Sequence, residues 1–526
     1  MLVLERPELG AVATVRGEAS QIGLEMLERG GNAADAAVAT AAALAVVDPA
    51  MTGLGGDAFA IVCWRDEDPP SALNASGRAP AGATIERYRE LGCDRVPAHG
   101  PLSVSVPGGV LGWHALHERY GSLPWAQLLA PAVRLAREGC EVTGFLRVTT
   151  AVASKRLDAR ARSIYLDADG APPAVGARLV QPELADSLEE LAQCGPAALY
   201  EGDLGRRFCE GLQAAGGLIR REDLAAHRVE WTKPLRTLYR DHEILTTPPN
   251  SHGLTLLVML NLLESPAFAS LGRDSAARIH LQVEAKRLAF SLREQYVGEP
   301  NDLPVDPHAL AGKDYAVELR RWLDPAAIGK LPASIPRPSR LAVSDDQSDT
   351  TCFSVVDAAG NAVSFINSLF DMYGAGVVAG DTGIVCQNRA SSFSLDAEHV
   401  NALGPGRRPM HTLMPVVVRK DGGLRYTLGL IGGDQQPQGL LQVLQHLIDD
   451  RDALDDAVRA PRMRSYEHGR LALEPGFDPL RADLESRGHE LVPGDFFGGC
   501  QAIESRADGS LRAFSDPRTG GEPRGR

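Results

Sequence analysis

Residues 349–357 read Asp-Thr-Thr-Cys-Phe-Ser-Val-Val-Asp, residues 358–361 read Ala-Ala-Gly-Asn, and residues 362–368 read Ala-Val-Ser-Phe-Ile-Asn-Ser. The first and third stretches are apolar and rich in β-branched and aromatic side chains. The stretch between them contains glycine and asparagine, which are typical turn residues. This order predicts a β-hairpin with its turn at Gly360 and Asn361.

Two threonines, Thr350 and Thr351, stand where the first strand of this hairpin begins. If the Asp349–Thr350 peptide bond were cut, Thr350 would carry a hydroxyl and a free α-amine on one residue. Such an amine has a pKa of about 8 in a model peptide, so it can accept the hydroxyl proton close to neutral pH. The pair therefore fits a self-cleaving chain with Thr350 as nucleophile, although strand propensity alone also explains it.

The composition excludes several classes of partner. The 526 residues carry a net charge of −14, which argues against a nucleic acid or an anionic membrane surface. Residues 1–10 resemble no secretion signal, and the apolar stretch Ala33–Val47 is too short to span a bilayer, so we expect a cytoplasmic protein. The eight cysteines show no Cys-x-x-Cys spacing and predict buried thiols.

Helix and strand patterns alternate along the chain. The alanine-rich stretch Ala33–Val47 predicts a helix that Asn32 can cap, and Ala58–Trp64 predicts a strand. Further helices are predicted over Glu18–Arg29, Leu254–Leu263 and Ala276–Tyr296, and a second hairpin over Met414–Arg419 and Leu424–Leu430. Residues 332–349 are rich in Pro, Ser and Asp and predict a mobile linker, which suits a segment that is cut and then leaves the site.

The first hairpin resembles the autocleavage site of the γ-glutamyltranspeptidase family of N-terminal-nucleophile hydrolases. The shared pattern is a Thr-Thr pair, an aromatic residue, Ser-Val-Val-Asp, Gly-Asn-Ala-Val, and then the glycine-rich segment Gly374–Gly380. The match continues in order through Asn388, Arg408-Pro409 and Gly432-Gly433, and it covers nearly the whole chain. The resemblance implies an α+β, four-layer αββα sandwich that processes itself into a large chain, 1–349, and a small chain, 350–526, which remain associated as one domain.

The resemblance also implies roles for residues of the small chain. Thr350 would be the nucleophile, and Ser368 falls where the family has a threonine that supports it. Thr351 matches the second threonine of the motif and would contact the substrate. Gly432 and Gly433 match the oxyanion loop, whose backbone N–H groups stabilise a tetrahedral intermediate. The implied partner is a small-molecule amide; no metal or cofactor is implied, and a higher oligomer is left open.

The pocket residues depart from the pattern of the γ-glutamyl-specific members. Ser76 replaces an arginine, Cys352 a histidine, Phe370 an asparagine, Arg389 a glutamine, Ser392 an aspartate, and His411 and Thr412 two serines. Losing the aspartate removes the partner of a substrate ammonium, whereas Arg389 and His411 can bind an anion. Arg78 either offers a further cation near Ser76 or faces solvent. We therefore predict an amidohydrolase for a small anionic acyl amide, resembling the branch that includes oxamate amidohydrolase.

Alternatives stay open at this point. One is true γ-glutamyl transfer or glutathione hydrolysis, which the departures at Ser76, Phe370 and Ser392 oppose. Another is an unprocessed homologue that binds a ligand without catalysis, for which Cys352 is the only indication. For Arg389, the alternative to anion binding is a salt bridge at the surface.

Overall fold

The architecture is two β-sheets packed face to face with helices on both outer faces. The computed structural model describes residues 1–329, 348–494 and 496–526. Each of the two sheets has seven strands, and the large hydrophobic clusters lie between each sheet and its helices. The predicted four-layer αββα sandwich is therefore confirmed. The predicted linker over residues 332–349 lies outside the described residues except for its last two positions.

The strands form two large antiparallel sheets and two small ones. In chain order they are β1 Leu2–Leu4, β2 Gly10–Thr14, β3 Asp57–Cys63, β4 Ser71–Ala75, β5 Cys140–Glu141, β6 Arg178–Leu179, β7 Glu230–Thr232, β8 Leu235–Tyr239, β9 His242–Thr246, β10 Ser348–Asp357, β11 Ala362–Asp371, β12 Val416–Lys420, β13 Gly423–Leu430, β14 Met463–Ser465, β15 Arg470–Leu473, β16 Glu490–Leu491, β17 Cys500–Ser505, β18 Leu511–Ser515 and β19 Arg524–Gly525. The first large sheet has the order β1-β18-β17-β13-β12-β9-β8, and the second has the order β19-β2-β10-β11-β3-β4-β7.

Helices cover the two outer faces. They are α1 Gly17–Glu28, α2 Ala33–Val47, α3 Ile85–Glu90, α4 Gly109–Tyr120, α5 Trp125–Glu138, α6 Gly144–Ala153, α7 Ala159–Tyr165, α8 Pro182–Cys194, α9 Ala197–Tyr200, α10 Asp203–Ala214, α11 Arg221–Ala226, α12 Gly253–Leu263, α13 Pro266–Ala269, α14 Ala276–Tyr296, α15 Pro307–Leu310, α16 Lys313–Leu319, α17 Gln435–Ile448, α18 Leu454–Arg459 and α19 Arg481–Ser486. Helices α12, α17 and α18 pack on the first sheet, with α14 against α12, and α1, α2 and α4 pack on the second, with α5 against α2 and α8 against α5.

The predicted hairpin forms the centre of the second sheet. Strands β10 and β11 pair antiparallel, with Cys352 opposite Ile366 and Thr351 opposite Asn367. One face of the hairpin packs on α2 and the other faces the first sheet. Because both faces are buried, both strands read as nearly continuous apolar runs instead of alternating apolar and polar residues. The register shifts between Asp349 and Thr351, so an irregularity marks the start of β10.

A small apolar cluster joins the two sheets near this irregular end. It consists of Phe59, Cys352, Ile366, Leu413 and Ile431, all of them buried. Ile431 directly follows β13 in the first sheet, whereas Cys352 and Ile366 belong to the central hairpin of the second. The cluster therefore brings the loop after β13 to the same end of the sandwich as the start of β10.

The cap predicted for α2 is also confirmed. The Asn32 side chain accepts hydrogen bonds from the N–H groups of Ala34 and Asp35, and the Asp35 carboxylate accepts one from the Asn32 N–H. This reciprocal arrangement satisfies donors that the first turn of a helix leaves free. Among the described residues, no helix is both long and apolar enough to cross a membrane.

Candidate active site

Thr350 and Ser368 meet at the start of the central hairpin. The Thr350 hydroxyl lies 3.3 Å from the Ser368 hydroxyl, and both side chains are buried. The Ser368 oxygen also accepts a hydrogen bond of 2.8 Å from the N–H of Phe370. Two residues predicted to act together, and separated by 18 positions in the sequence, are thus brought together by the pairing of β10 with β11.

Thr351 points to the opposite face of the sheet, because neighbouring residues of a strand face opposite ways. Its hydroxyl donates to Asp48 Oδ2 at 3.3 Å, at the C-terminal end of α2. Burial raises the pKa of Asp48 to about 6, and nearby Arg16 opposes the shift. Sequence analysis gave no role to Asp48, and the structure assigns Thr351 to a buried contact with it.

We expect Asp48→Asn to stabilise the protein at pH 7.5 but not at pH 4. An acid whose pKa is higher in the folded than in the unfolded chain binds its proton more tightly when folded, so its ionisation opposes folding. The free-energy cost of ionising Asp48 in the folded chain is absent below about pH 4 and grows between about pH 4 and pH 6. Above about pH 6 the cost is complete, on the order of 1–3 kcal/mol. Melting temperatures at both pH values, measured with Thr350→Ala present to keep the chain whole, test this.

The matched control is the same Asp-to-Asn change at the exposed Asp66. It should shift the melting temperature little at either pH, because an exposed carboxyl keeps its hydration in both states. An equal rise in melting temperature from Asp48→Asn at both pH values would contradict the expectation that ionisation of Asp48 destabilises the folded chain.

Cys352 does not take part in proton handling beside Thr350. Its side chain packs between the two sheets, with Sγ 4.0 Å from the carbonyl oxygen of Gly499. Burial raises the pKa of the thiol well above its ordinary value, so it stays protonated. The residue that replaces the family's histidine is therefore a core residue in this chain.

Gly432 and Gly433 form the bend between β13 and α17. Their φ angles are 114° and 56°, which lie in the region that favours glycine. Within the described part of the chain, neither N–H donates to a protein acceptor, although both residues are buried. Because Ile431 belongs to the cluster that contains Cys352, these two free donors lie at the same end of the sandwich as Thr350.

Arg389 is fully buried beside Phe370, near the end of β11. Its guanidinium carbon lies 3.8 Å from the centre of the Phe370 ring, and Nη1 donates to Thr412 Oγ1 at 3.3 Å. Nε and Nη2 have no partner, and no carboxylate among the described residues pairs with the group. Burial lowers the pKa of Arg389 to about 9, against the opposing effect of Asp57 and Asp371. The alternative of a surface salt bridge is therefore wrong.

His411 lies in close contact with Asp57, a residue to which sequence analysis gave no role. Nε2 of His411 is 3.0 Å from Asp57 Oδ2, without the alignment of a hydrogen bond. Burial, reinforced by Arg389, lowers the pKa of His411 to about 4. The imidazole is therefore neutral at physiological pH, so Arg389 is the charged member of the predicted anion-binding pair.

Ser76 and Arg78 have structural partners. The Ser76 hydroxyl donates to Asn74 Oδ1 at 2.6 Å and is fully buried. Arg78 is only a quarter exposed and forms ion pairs with Glu230 and Glu299, at 3.0 and 3.6 Å. Arg78 is therefore partly exposed, and its guanidinium is paired with two carboxylates instead of being an unpaired cation near Ser76.

Ser392 lies in the turn that carries Arg389. Its hydroxyl donates to the backbone carbonyls of Arg389 and Met410, at 2.9 and 3.1 Å. A serine with two short backbone contacts fixes the turn and offers no negative charge to a ligand. This turn therefore carries a neutral hydroxyl at Ser392, where the γ-glutamyl-specific pattern has an anion, and a cation at Arg389, where that pattern has a neutral glutamine.

Asp371 is the buried carboxylate next to Phe370. Asn388 Nδ2 donates to its Oδ2 at 2.8 Å, and burial raises the pKa of Asp371 to about 6. Neither Asp371 nor Asp57 stands out in the sequence, because neither belongs to a recognisable catalytic or binding motif. Asp371 follows an apolar stretch, and Asp57 follows a glycine-rich one. Only the partner that each residue meets in the fold reveals it.

A threonine hydroxyl near the start of a central β-strand, in an αββα sandwich and at the same end as free backbone donors, is characteristic of the class of N-terminal-nucleophile hydrolases. Comparison with known proteins agrees with this class. The family model of gamma-glutamyltranspeptidase matches residues 19–525. The chain belongs to the γ-glutamyltranspeptidase family, and it is an enzyme of that family, a self-processing amidohydrolase or transpeptidase.

Individual relatives cover almost the entire chain. The chain is 38% identical to the glutathione hydrolase-like YwrD proenzyme of Bacillus subtilis and 37% identical to the oxamate amidohydrolase proenzyme of Klebsiella pneumoniae, with 96% of each chain covered in both comparisons. The crystal structure of cephalosporin acylase from Bacillus halodurans matches with a TM-score of 0.88 and 34% identity, over 100% of this chain and 97% of that chain. The alternative of a non-catalytic binding homologue is thus set aside.

Proposed function

We propose that the chain cuts itself between Asp349 and Thr350 and that the freed Thr350 then hydrolyses amides of a small anionic acyl group. The large chain would comprise residues 1–349 and the small chain residues 350–526. The observation that carries the substrate class is Arg389, a buried guanidinium with unpartnered donors near Thr350.

Self-cleavage begins at the Thr350 hydroxyl. Its oxygen attacks the carbonyl carbon of Asp349, the C–N bond breaks, and the released nitrogen takes up a proton. Water then hydrolyses the resulting ester, which restores the hydroxyl and leaves Thr350 with a free α-amine. The contact with Ser368, 3.3 Å away, orients the hydroxyl for this attack.

Amide hydrolysis repeats the same attack on a bound substrate. The α-amine of Thr350 accepts the hydroxyl proton, and the oxygen attacks the substrate carbonyl. The N–H groups of Gly432 and Gly433 stabilise the negative oxygen that forms, and loss of one such donor typically costs about 10²- to 10³-fold in rate. The α-ammonium protonates the leaving amine, and water or another amine then removes the acyl group from Thr350.

The charge of the pocket supports an anionic acyl group. A guanidinium removed from water and lacking a carboxylate partner is costly, and a substrate carboxylate supplies the missing partner. The neutral imidazole of His411 and the hydroxyl of Thr412 add polar contacts without opposing charge. Similarity to an oxamate amidohydrolase supports the same class, because oxamate is an amide that carries a carboxylate.

True γ-glutamyl hydrolysis is the second candidate. It is supported by similarity to a glutathione hydrolase-like protein and by Asp371, a buried carboxylate next to Phe370 that an ammonium can approach. It is opposed by Arg389, which places a positive charge close to where the ammonium of a γ-glutamyl group must lie.

A matched pair of substrates separates the two candidates. N-glutaryl-p-nitroanilide and γ-glutamyl-p-nitroanilide differ only in the α-ammonium. We expect kcat/KM for the glutaryl compound to exceed that for the γ-glutamyl compound at least about tenfold, because the ammonium meets a like charge. Release of p-nitroaniline measures both rates. A preference for the γ-glutamyl compound would establish the second candidate instead.

A further inference from the structure

Phe370 stands across the strand pair from the bond that is cut. In the register of β10 with β11, its partner is Asp349. The carbonyl attacked in self-cleavage belongs to Asp349, and the acyl carbon of a substrate must take the same place relative to Thr350. Phe370 is therefore a direct neighbour of the acyl position.

The backbone of Phe370 supports the nucleophile. Its N–H donates to Ser368 Oγ at 2.8 Å, and that oxygen lies 3.3 Å from Thr350 Oγ1. A shift of the Phe370 backbone would therefore move the hydroxyl that orients Thr350.

The ring of the same residue supports the cation. The guanidinium of Arg389 lies 3.8 Å from the ring centre, a close cation–π contact in a site without bulk water. Thr412 accepts a hydrogen bond from Nη1, and Nε and Nη2 have no partner. The ring thus fixes the position of a group whose remaining donors are free for a ligand.

The backbone of Phe370 adopts an unfavourable conformation while the residue makes these two contacts. Its φ angle is 84°, in the left-handed region that bulky L-residues rarely occupy. Asparagine tolerates this region better, and the γ-glutamyl-specific pattern has asparagine here. Strain of this kind persists where the surrounding structure requires the side chain, which is typical of ligand sites.

We propose that Phe370 is a specificity-determining residue that sets the length of the acyl group. Its backbone positions the nucleophile, and its ring positions the anion-binding guanidinium. A single residue therefore sets the distance between Thr350 and Arg389, the two ends of the acyl site. The acyl groups that fit are those of short dicarboxylic acids, with the amide at Thr350 and the free carboxylate at Arg389. This inference rests on the proposed function and refines its substrate class.

The test uses p-nitroanilides of the unbranched dicarboxylic acids from oxalic to adipic acid. For the mature wild-type enzyme, we expect kcat/KM to peak at one chain length and to fall about tenfold or more on changing it by one methylene, the discrimination a well-fitted pocket can reach. For Phe370→Leu, the cation is no longer held by a ring, and the dependence should flatten to about threefold or less per methylene.

Two further variants separate length selection from folding. Phe370→Tyr keeps the aromatic face and should preserve the peak. Phe370→Asn suits the left-handed backbone but removes the buried ring, so it should flatten the length dependence, and its melting temperature measures the cost of the lost packing. The readout for each variant is the ratio of kcat/KM for an anionic anilide to kcat/KM for the uncharged N-butyryl-p-nitroanilide. A disturbance of Thr350 through Ser368 lowers both rates and leaves this ratio unchanged, whereas loss of the ring's contact with Arg389 lowers only the rate on the anionic anilide. These readouts remain informative if Phe370→Leu fails to mature.

The outcomes distinguish the inference from the function on which it rests. If the wild type hydrolyses none of the anionic anilides, the proposed function fails. If the wild type shows a sharp peak and Phe370→Asn or Phe370→Leu keeps the same peak, the proposed function stands and the role of Phe370 is overturned. Equal losses on the uncharged and the anionic anilides would also overturn it, because they would indicate general damage.

Discussion

Replacing Thr350 with alanine is expected to leave the 56.1 kDa chain whole, whereas the wild type separates into chains of 349 and 526 − 349 = 177 residues. Alanine has no hydroxyl to attack the carbonyl of Asp349, so the α-amine is never released. Without nucleophile or base, kcat/KM on any anilide should fall by at least about 10³-fold. Intact-mass measurement and N-terminal sequencing detect the cleavage, and p-nitroaniline release measures the activity.

Two neighbouring variants are controls for this result. Thr350→Ser keeps a hydroxyl and should still cleave, more slowly. Thr351→Ala removes the contact with Asp48 on the other face of the strand and should also still cleave. Cleavage of Thr350→Ala at the same bond would contradict the assignment of the nucleophile.

Replacing Arg389 with methionine is expected to lower activity and raise stability together. The loss of two charge-assisted hydrogen bonds to a substrate carboxylate costs about 1.5–3 kcal/mol each, so kcat/KM for the anionic anilide should fall at least about 10²-fold. The same change removes a buried charge without a carboxylate partner in the described structure, so the melting temperature should rise. Hydrolysis of N-butyryl-p-nitroanilide should change little.

Arg389→Lys is the matched variant, because it keeps the charge but loses the planar group that stacks on Phe370. It should show an intermediate loss of activity on the anionic anilide. Destabilisation of Arg389→Met, together with equal losses on both anilides, would show that Arg389 supports the fold and does not bind the substrate.

Much of the fold follows from local patterns. The hairpin over β10 and β11, the cap at Asn32 and the long helix Ala276–Tyr296 each depend on residues close in sequence, so periodicity and capping residues predict them. The stacking of two sheets does not follow in this way, because it depends on which apolar faces meet across the chain. Only the family resemblance supplied that arrangement.

The candidate site was likewise predictable from the sequence only in part. Thr350, Ser368 and the glycine pair were found because the family motif names them, and the strand pairing then explains their contact. Asp48 contacts Thr351 across 303 positions, a distance over which no sequence pattern specifies a partner. The partners of Arg78 were unpredictable for the same reason, since Glu230 lies 152 positions away.

The most direct test of the account is the mass of the small chain during turnover. The mature enzyme is mixed with N-glutaryl-p-nitroanilide and quenched in acid, and the small chain of 177 residues (526 − 349) is weighed and then mapped by proteolysis. We predict a fraction of small chain that is heavier by one glutaryl group, with the addition on Thr350, and no such fraction in Arg389→Met under the same conditions. An acyl group on any other residue would contradict the account, as would steady hydrolysis by an enzyme that remains a single uncut chain.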